Sequence, residues 1–310
     1  MPYKIIRDEA VIGMPPGIGD LSWIMTKMES FKKENNIKKI KIVMNLVGGG
    51  DGHYGYSLEY LKLLPFVESA AAATTALEFE YALAGGSGTP LFEKRSGCDY
   101  LIEFNSRLEN HTKLKDILPQ YETNYDYPIK EPAEAKEFAQ ALRVEIGEKF
   151  VLLFTAARGT NNAWVGKLWG PEKWMALARI IYKKTGCKPV LIGAKWDADY
   201  TDEIIKLDAD NIIHDMVGKL SVAHLFALLR EANILIAFTC GVGIMATQFR
   251  TPVVTLWPIK NKRNPKGKFN RAFMRTWLPP WAKKVGYIPL AWGDKEATPN
   301  GIFNAVRKYI

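Results

Sequence analysis

The sequence predicts an α/β protein made of two consecutive doubly wound halves, and three observations carry that prediction. Short apolar runs of strand length alternate with helical segments along most of the chain. A strand–glycine–helix turn occurs twice, within residues 11–25 and again within residues 233–246. Between them, residues 121–148 are polar and carry Pro128 and Pro132, as a linker between domains does. The expected domains are residues 1–145 and 146–310. Right-handed βαβ connections would place helices on both faces of each sheet.

In the first half, residues 10–12 read as a buried strand. Residues 14–19 hold too much Pro and Gly for a helix, and Leu21, Ile24, Met25 and Met28 then fall at helical spacing. Gly17 and Gly19 would let a ligand approach the backbone, and the N–H groups of a helix start favour an anion. Asp20 falls in the first helical turn, where it reads equally as a helix cap or as a functional carboxylate. The helix is expected over 20–34, a strand over 39–45, a glycine loop over 48–55 and a helix over 56–64, stopped by Pro65. Strands at 77–83 and 99–104 flank another glycine loop at 85–88. Such loops are either plain turns or the places where open α/β sheets put ligands. His53 and His111 have no partner at metal spacing and read as ordinary loop residues. An amphipathic helix at 133–142 ends near Gly147 and completes the linker.

The second half restarts the alternation. Residues 150–154 form a continuous apolar run, the mark of a strand buried on both faces. The polar loop after it carries Thr155, Arg158 and Lys167, whose cations either neutralise a phosphate or are simply solvated. Trp164 and Trp169 sit in this loop as aromatics able to stack on a base or a sugar. A helix starts at Pro171 with Trp174, Leu177 and Ile181 inward. Strands follow at 189–193, 212–213, 233–238 and 252–257, with a helix over 222–229 capped by Ser221. Residues 302–310 form a tail helix that could pack anywhere, including back on the first domain. Lys260, Lys262, Arg263, Lys266 and Lys268 crowd one loop and suit either solvent or a polyanion.

Composition narrows the class. Hydrophobic residues make up 47% of the chain and charged residues 24%, ordinary for a globular protein. No apolar run approaches the ~20 residues of a membrane span. Cys98, Cys187 and Cys240 are far apart, which suggests reduced thiols in a cytoplasmic protein and neither a disulfide framework nor a zinc site. The net charge of +9 favours polyanionic partners. Gly241 and Gly243 begin a Gly-x-Gly-x-x-Ala turn after a strand, but no carboxylate ends the next strand at Leu256-Trp257-Pro258, so a nicotinamide dehydrogenase is disfavoured. The helix start still suits a diphosphate, and so does close packing of helix on strand.

Pro16-Gly17-Ile18-Gly19-Asp20, Lys167-Leu168-Trp169 with Trp174, and Gly218-Lys219-Leu220-Ser221 followed by residues 233–252 stand in a telling order. In order and spacing they resemble the heptosyltransferase-like glycosyltransferases, over most of the chain. The resemblance implies a GT-B fold, two Rossmann-like domains facing across a cleft with a nucleotide-sugar held mainly by the second. It implies Asp20 as general base and Lys167 as a ligand of the donor's phosphate or sugar. The family's Asp-Ser-Gly-x-x-His segment aligns with Thr239 to Ile244; Gly241 is kept, while Thr239, Cys240 and Ile244 replace the Asp, Ser and His. Heptose is therefore not assumed as the sugar. The expected reaction is inverting and metal-independent, with a nucleotide-sugar co-substrate and no cofactor. The expected acceptor is a saccharide. Hydroxymethylated bases in DNA are the alternative that the charge suggests. A non-catalytic binding protein on the same scaffold is the rival from another class. Oligomeric state leaves no mark in the sequence.

Overall fold

The computed structural model describes residues 8–45, 55–73, 78–85, 97–104, 121–155, 169–257, 278–291 and 297–310. The chain divides into two compact units, Met1–Lys130 and Glu131–Ile310.

In the first unit, β1 (Glu9–Met14) leads into α1 (Ile18–Asn35), then β2 (Lys39–Asn45), α2 (Gly55–Lys62), β3 (Val67–Ala73), β4 (Glu78–Gly85) and β5 (Gly97–Phe104). The strands make one parallel sheet in the order β3-β2-β1-β5-β4. β1 is central and buries Ala10, Ile12 and Met14 completely. α1 turns Leu21, Ile24, Met25 and Met28 inward, the positions its helical spacing predicts, and buries Phe31 with them. It ends at Asn36, whose left-handed φ of 54° brings its N–H back to the Lys32 and Lys33 carbonyls. Residues 121–127 lie along α1 and α2. Buried Lys27 donates to the Tyr121 carbonyl at 2.8 Å, and Tyr60 and Tyr127 share a hydroxyl hydrogen bond of 2.5 Å. β3 is absent from the sequence-based expectation. It is an edge strand rich in alanine, where Glu68 ties Lys39 of the neighbouring strand at 2.5 Å.

The second unit opens with α3 (Ala133–Ile146). It continues through β6 (Phe150–Phe154), α4 (Pro171–Thr185), β7 (Lys188–Ile192), a 3-10 turn (Lys195–Asp197), α5 (Ala198–Lys206) and β8 (His214–Asp215). Then come α6 (Val222–Glu231), β9 (Ile234–Phe238), α7 (Gly241–Gln248), β10 (Val253–Trp257), α8 (Ala282–Val285), β11 (Tyr287–Ala291) and α9 (Pro299–Val306). Its sheet is parallel in the order β11-β10-β9-β6-β7-β8. The break between units precedes the expected 145/146 boundary because α3 packs on α6 and so belongs to the second unit. The short strand expected at 212–213 is formed two residues later, at His214–Asp215. α9 packs on α4 of its own unit, with Ile302, Phe303 and Val306 in the same core as Trp174 and Ile181.

Candidate functional site

The first turn is built around Gly17. This residue, and not Asp20, occupies the N-cap of α1, at φ −76° and ψ 130° with no side-chain cap bond. Asp20 is the third helical residue, and its carboxylate lies over Gly17: a Cβ built there would meet Oδ2 at 3.0 Å. Asp20 is partly exposed, and among the described residues no group donates a hydrogen bond to its carboxylate. Burial pushes its pKa up to about 6, and no neighbouring charge is among the causes. A helix N-terminus favours a carboxylate's charged form, so loss of hydration outweighs that help here.

The second turn joins β9 to α7. Cys240 is the N-cap, in extended backbone at φ −163°, and Gly241 starts the helix. Burial pushes the Cys240 thiol up to about 12, against the pull of the Val242 and Gly243 N–H groups, so the thiol stays neutral. Thr239 and Gly241 are half-buried at the helix start. Gly243 is buried against β10, yet a Cβ there would sit in ordinary contact, 3.7 Å from Thr255 Oγ1. β6 runs beside β9 with Phe154 opposite Ala237, so both strands end at the same edge of the sheet. Thr155, at the end of β6, is fully buried, and its Oγ1 has no hydrogen-bond partner among the described residues.

Asp197 is a residue that the sequence reading missed. It is buried beyond the end of β7, its Oδ2 accepts the Ala194 N–H at 2.8 Å, and its charge adds to the upward push on Cys240. The signal available was its place just past a strand's C-terminal end. Gly218 packs beside the same turn, at φ 70° and with room for a Cβ only 3.2 Å from the Lys195 backbone, so glycine is required there.

Trp169 is not a loop aromatic awaiting a ring. It is buried, packs edge-on against Trp174 at 4.7 Å between centroids, and donates its Nε1–H to the Ala297 carbonyl at 2.9 Å. Arg158, Trp164, Lys167, Lys260, Lys262, Arg263, Lys266 and Lys268 lie outside the described residues, as do His53 and His111. Two Asp-x-Asp pairs occur, and their buried or half-buried members serve the backbone. Asp197 of the Asp197–Asp199 pair holds Ala194, and Asp208 of the Asp208–Asp210 pair accepts the Ile212 and Ile213 N–H groups. Among the described residues no group of three or more His, Cys, Asp or Glu could hold a metal ion. Among them, too, no helix is long and apolar enough to cross a membrane.

A family model described as Glycosyltransferase family 9 (heptosyltransferase) matches residues 105–283, more than half of the chain. None of the curated proteins matches the sequence significantly. Among solved structures, ADP-heptose LPS heptosyltransferase II of E. coli is similar at 12% identity and a TM-score of 0.64, over 96% of this chain and 97% of that one. A glycosyl transferase family 9 protein from Veillonella parvula is similar at 14% identity and a TM-score of 0.65, over 97% and 96% of the two chains. The E. coli heptosyltransferase WaaC, solved with ADP, is similar at 11% identity and a TM-score of 0.56, over 97% and 100%. At such identities the likeness is one of fold, and the fold is GT-B, with one parallel α/β sheet in each unit.

Proposed function

Because the chain belongs to glycosyltransferase family 9 and is a glycosyltransferase, we propose that it moves a sugar from a nucleoside-diphosphate donor to a saccharide hydroxyl with inversion, Asp20 acting as base. The observation that carries this reading is the Asp20 carboxyl itself, poised at about 6 on a glycine turn. A base whose pKa lies just below working pH is mostly ionised and still takes a proton readily.

In the proposed step the acceptor oxygen attacks the sugar's C1 while Asp20 removes its proton. The bond from C1 to the diphosphate breaks, and its electron pair leaves on the phosphate oxygen. Attack from the face opposite the leaving group inverts the anomeric centre. The N–H groups at the start of α7, from Gly241 to Gly243, and the Thr155 hydroxyl would receive the diphosphate. Thr239 and Cys240 belong to the same seat. Arg158 and Lys167 are assigned to the leaving charge, and Gly17 and Gly19 to close approach of substrate beside Asp20. The loop cations Lys260, Lys262, Arg263, Lys266 and Lys268 are assigned to an anionic acceptor. The reading needs no metal and no cofactor, and we place the reaction in the cytoplasm.

The solved relatives named for ADP-heptose, or holding ADP, make ADP and ADP-heptose the first ligands to test. A saturating nucleotide at about 100 times its Kd adds about 2.7 kcal/mol of stability, which a melting curve reads. Asp20→Asn should retain that shift and lose about 10²- to 10⁴-fold in transfer rate. Transfer at the parental rate would remove Asp20 as the base. Duplex DNA serves as a control acceptor, expected to give no product.

A further inference from the structure

The turn that carries Asp20 is gripped from outside its own helix. Ser57, the third residue of α2, is buried, and its Oγ donates to the Pro16 carbonyl at 2.5 Å across 41 positions of sequence. Pro16 immediately precedes the Gly17 cap. Pro15 and Pro16 offer no N–H, so a carbonyl is what this part of the loop presents for anchoring. The peptide joining Pro16 to Gly17 is planar and trans, so fixing its carbonyl also fixes the direction of the Gly17 N–H on the opposite edge. Gly17 in turn sets the first turn of α1. Its carbonyl accepts the Leu21 N–H at 2.9 Å, and the Asp20 carboxylate lies on its open side, with Oδ2 3.0 Å from where a Cβ would stand.

We infer that Ser57 is a positioning residue for Asp20, acting through the Pro16–Gly17 peptide plane to hold the carboxylate over the glycine turn. The inference rests on the reading of Asp20 as base. A hydroxyl that only satisfied a loop carbonyl would affect stability and nothing else when removed. A positioning hydroxyl also controls where the carboxylate sits and how much water reaches it. Misplacing a catalytic group by about 1 Å costs on the order of 10²-fold in rate.

The test uses the full chain as Ser57→Ala, Ser57→Thr, Asp20→Asn and the Ala/Asn double variant. The Asp20 carboxyl is followed by carbon NMR, its signal assigned by its loss in Asp20→Asn, and ADP release is measured with ADP-heptose as donor. Ser57→Ala is expected to lower the Asp20 midpoint towards the ordinary carboxylate range. It should also slow ADP release roughly 10- to 100-fold with the donor KM unchanged. Ser57→Thr, which keeps the hydroxyl, should restore both, and the double variant should be no slower than Asp20→Asn. If Ser57→Ala does not fold, Ser57→Cys keeps the volume with a weaker donor and should move the midpoint the same way. An unchanged midpoint in the folded variant, or no rescue by threonine, overturns the role of Ser57 and leaves the Asp20 reading intact. Asp20→Asn at the parental rate overturns the base reading, and the catalytic role of Ser57 with it.

Discussion

The two glycine turns of this protein share a backbone plan and differ in chemistry. Each runs from a central parallel strand into the N-terminus of a helix. At the first, the cap is Gly17 and a carboxylate, Asp20, lies in the first turn. At the second, the cap is Cys240 and the first turn of α7 carries no acid. The first turn holds a charge that burial disfavours, while the second holds a neutral thiol on which the Val242 and Gly243 N–H groups pull. On the proposed reading this acid, kept where burial is costly, serves chemistry, and the cap position is filled by another residue.

That contrast can be broken or sharpened by four measurements. The largest effect expected is on stability. Asp20 has a folded pKa raised from 3.8 to about 6, so its ionisation weakens the fold as pH rises through that window. Asp20→Asn should therefore melt higher than the parent at pH 7, by up to about 3 kcal/mol, with the gap closing at pH values below the unfolded pKa. A gap that persists in acid would mean that the carboxylate's charge is not its source. Next is Gly17→Ala, whose Cβ would press on the Asp20 carboxylate at 3.0 Å and force it to shift. Turnover should fall about 10- to 100-fold while nucleotide-induced thermal shifts stay as in the parent.

Thr155→Val, at the other turn's edge, removes a buried hydroxyl that has no partner among the described residues. The ligand-free protein should gain about 1 kcal/mol, and the thermal shift given by ADP should shrink. A loss of stability without ligand would reveal a partner for that hydroxyl. The smallest change is Gly243→Ala, where a Cβ has room. Helix propensity predicts a gain of about 0.5 kcal/mol in denaturant melts, and a loss would show that helix packing against β10 requires the glycine.

Much of the architecture was legible, and the failures have physical causes. β6 and β9 are continuous apolar runs, and every residue of β9 is buried, so local composition matches tertiary fate. β3 and β11 went unseen. Both lie at sheet edges; β3 is mostly alanine and β11 carries Pro289, tolerated because an edge strand need not pair on both sides. α5, with three acidic residues in nine, also escaped notice because only Thr201 and Ile204 are buried along it. At the candidate site, Asp20 and Gly17 stood out because proline and glycine mark the turn themselves. Asp197 did not: its place past the end of β7 was its single mark, and its effect on Cys240 depends on a nearness in space that no local pattern encodes. Trp169 was misread for the same reason: polar neighbours in sequence say nothing about Trp174 and Ala297 in space.

The closing of the second core by α9 has a consequence for synthesis on the ribosome. Ile302, Phe303 and Val306 pack in the core that holds Trp174, and the Asn233 amide donates to the Tyr309 carbonyl at 3.1 Å. Until residue 306 has left the exit tunnel, the strands around β6 wait with part of their apolar lining uncovered. Chaperones should engage the nascent chain in that interval, whereas the first unit, Met1–Lys130, is a separate compact unit that can settle while translation continues.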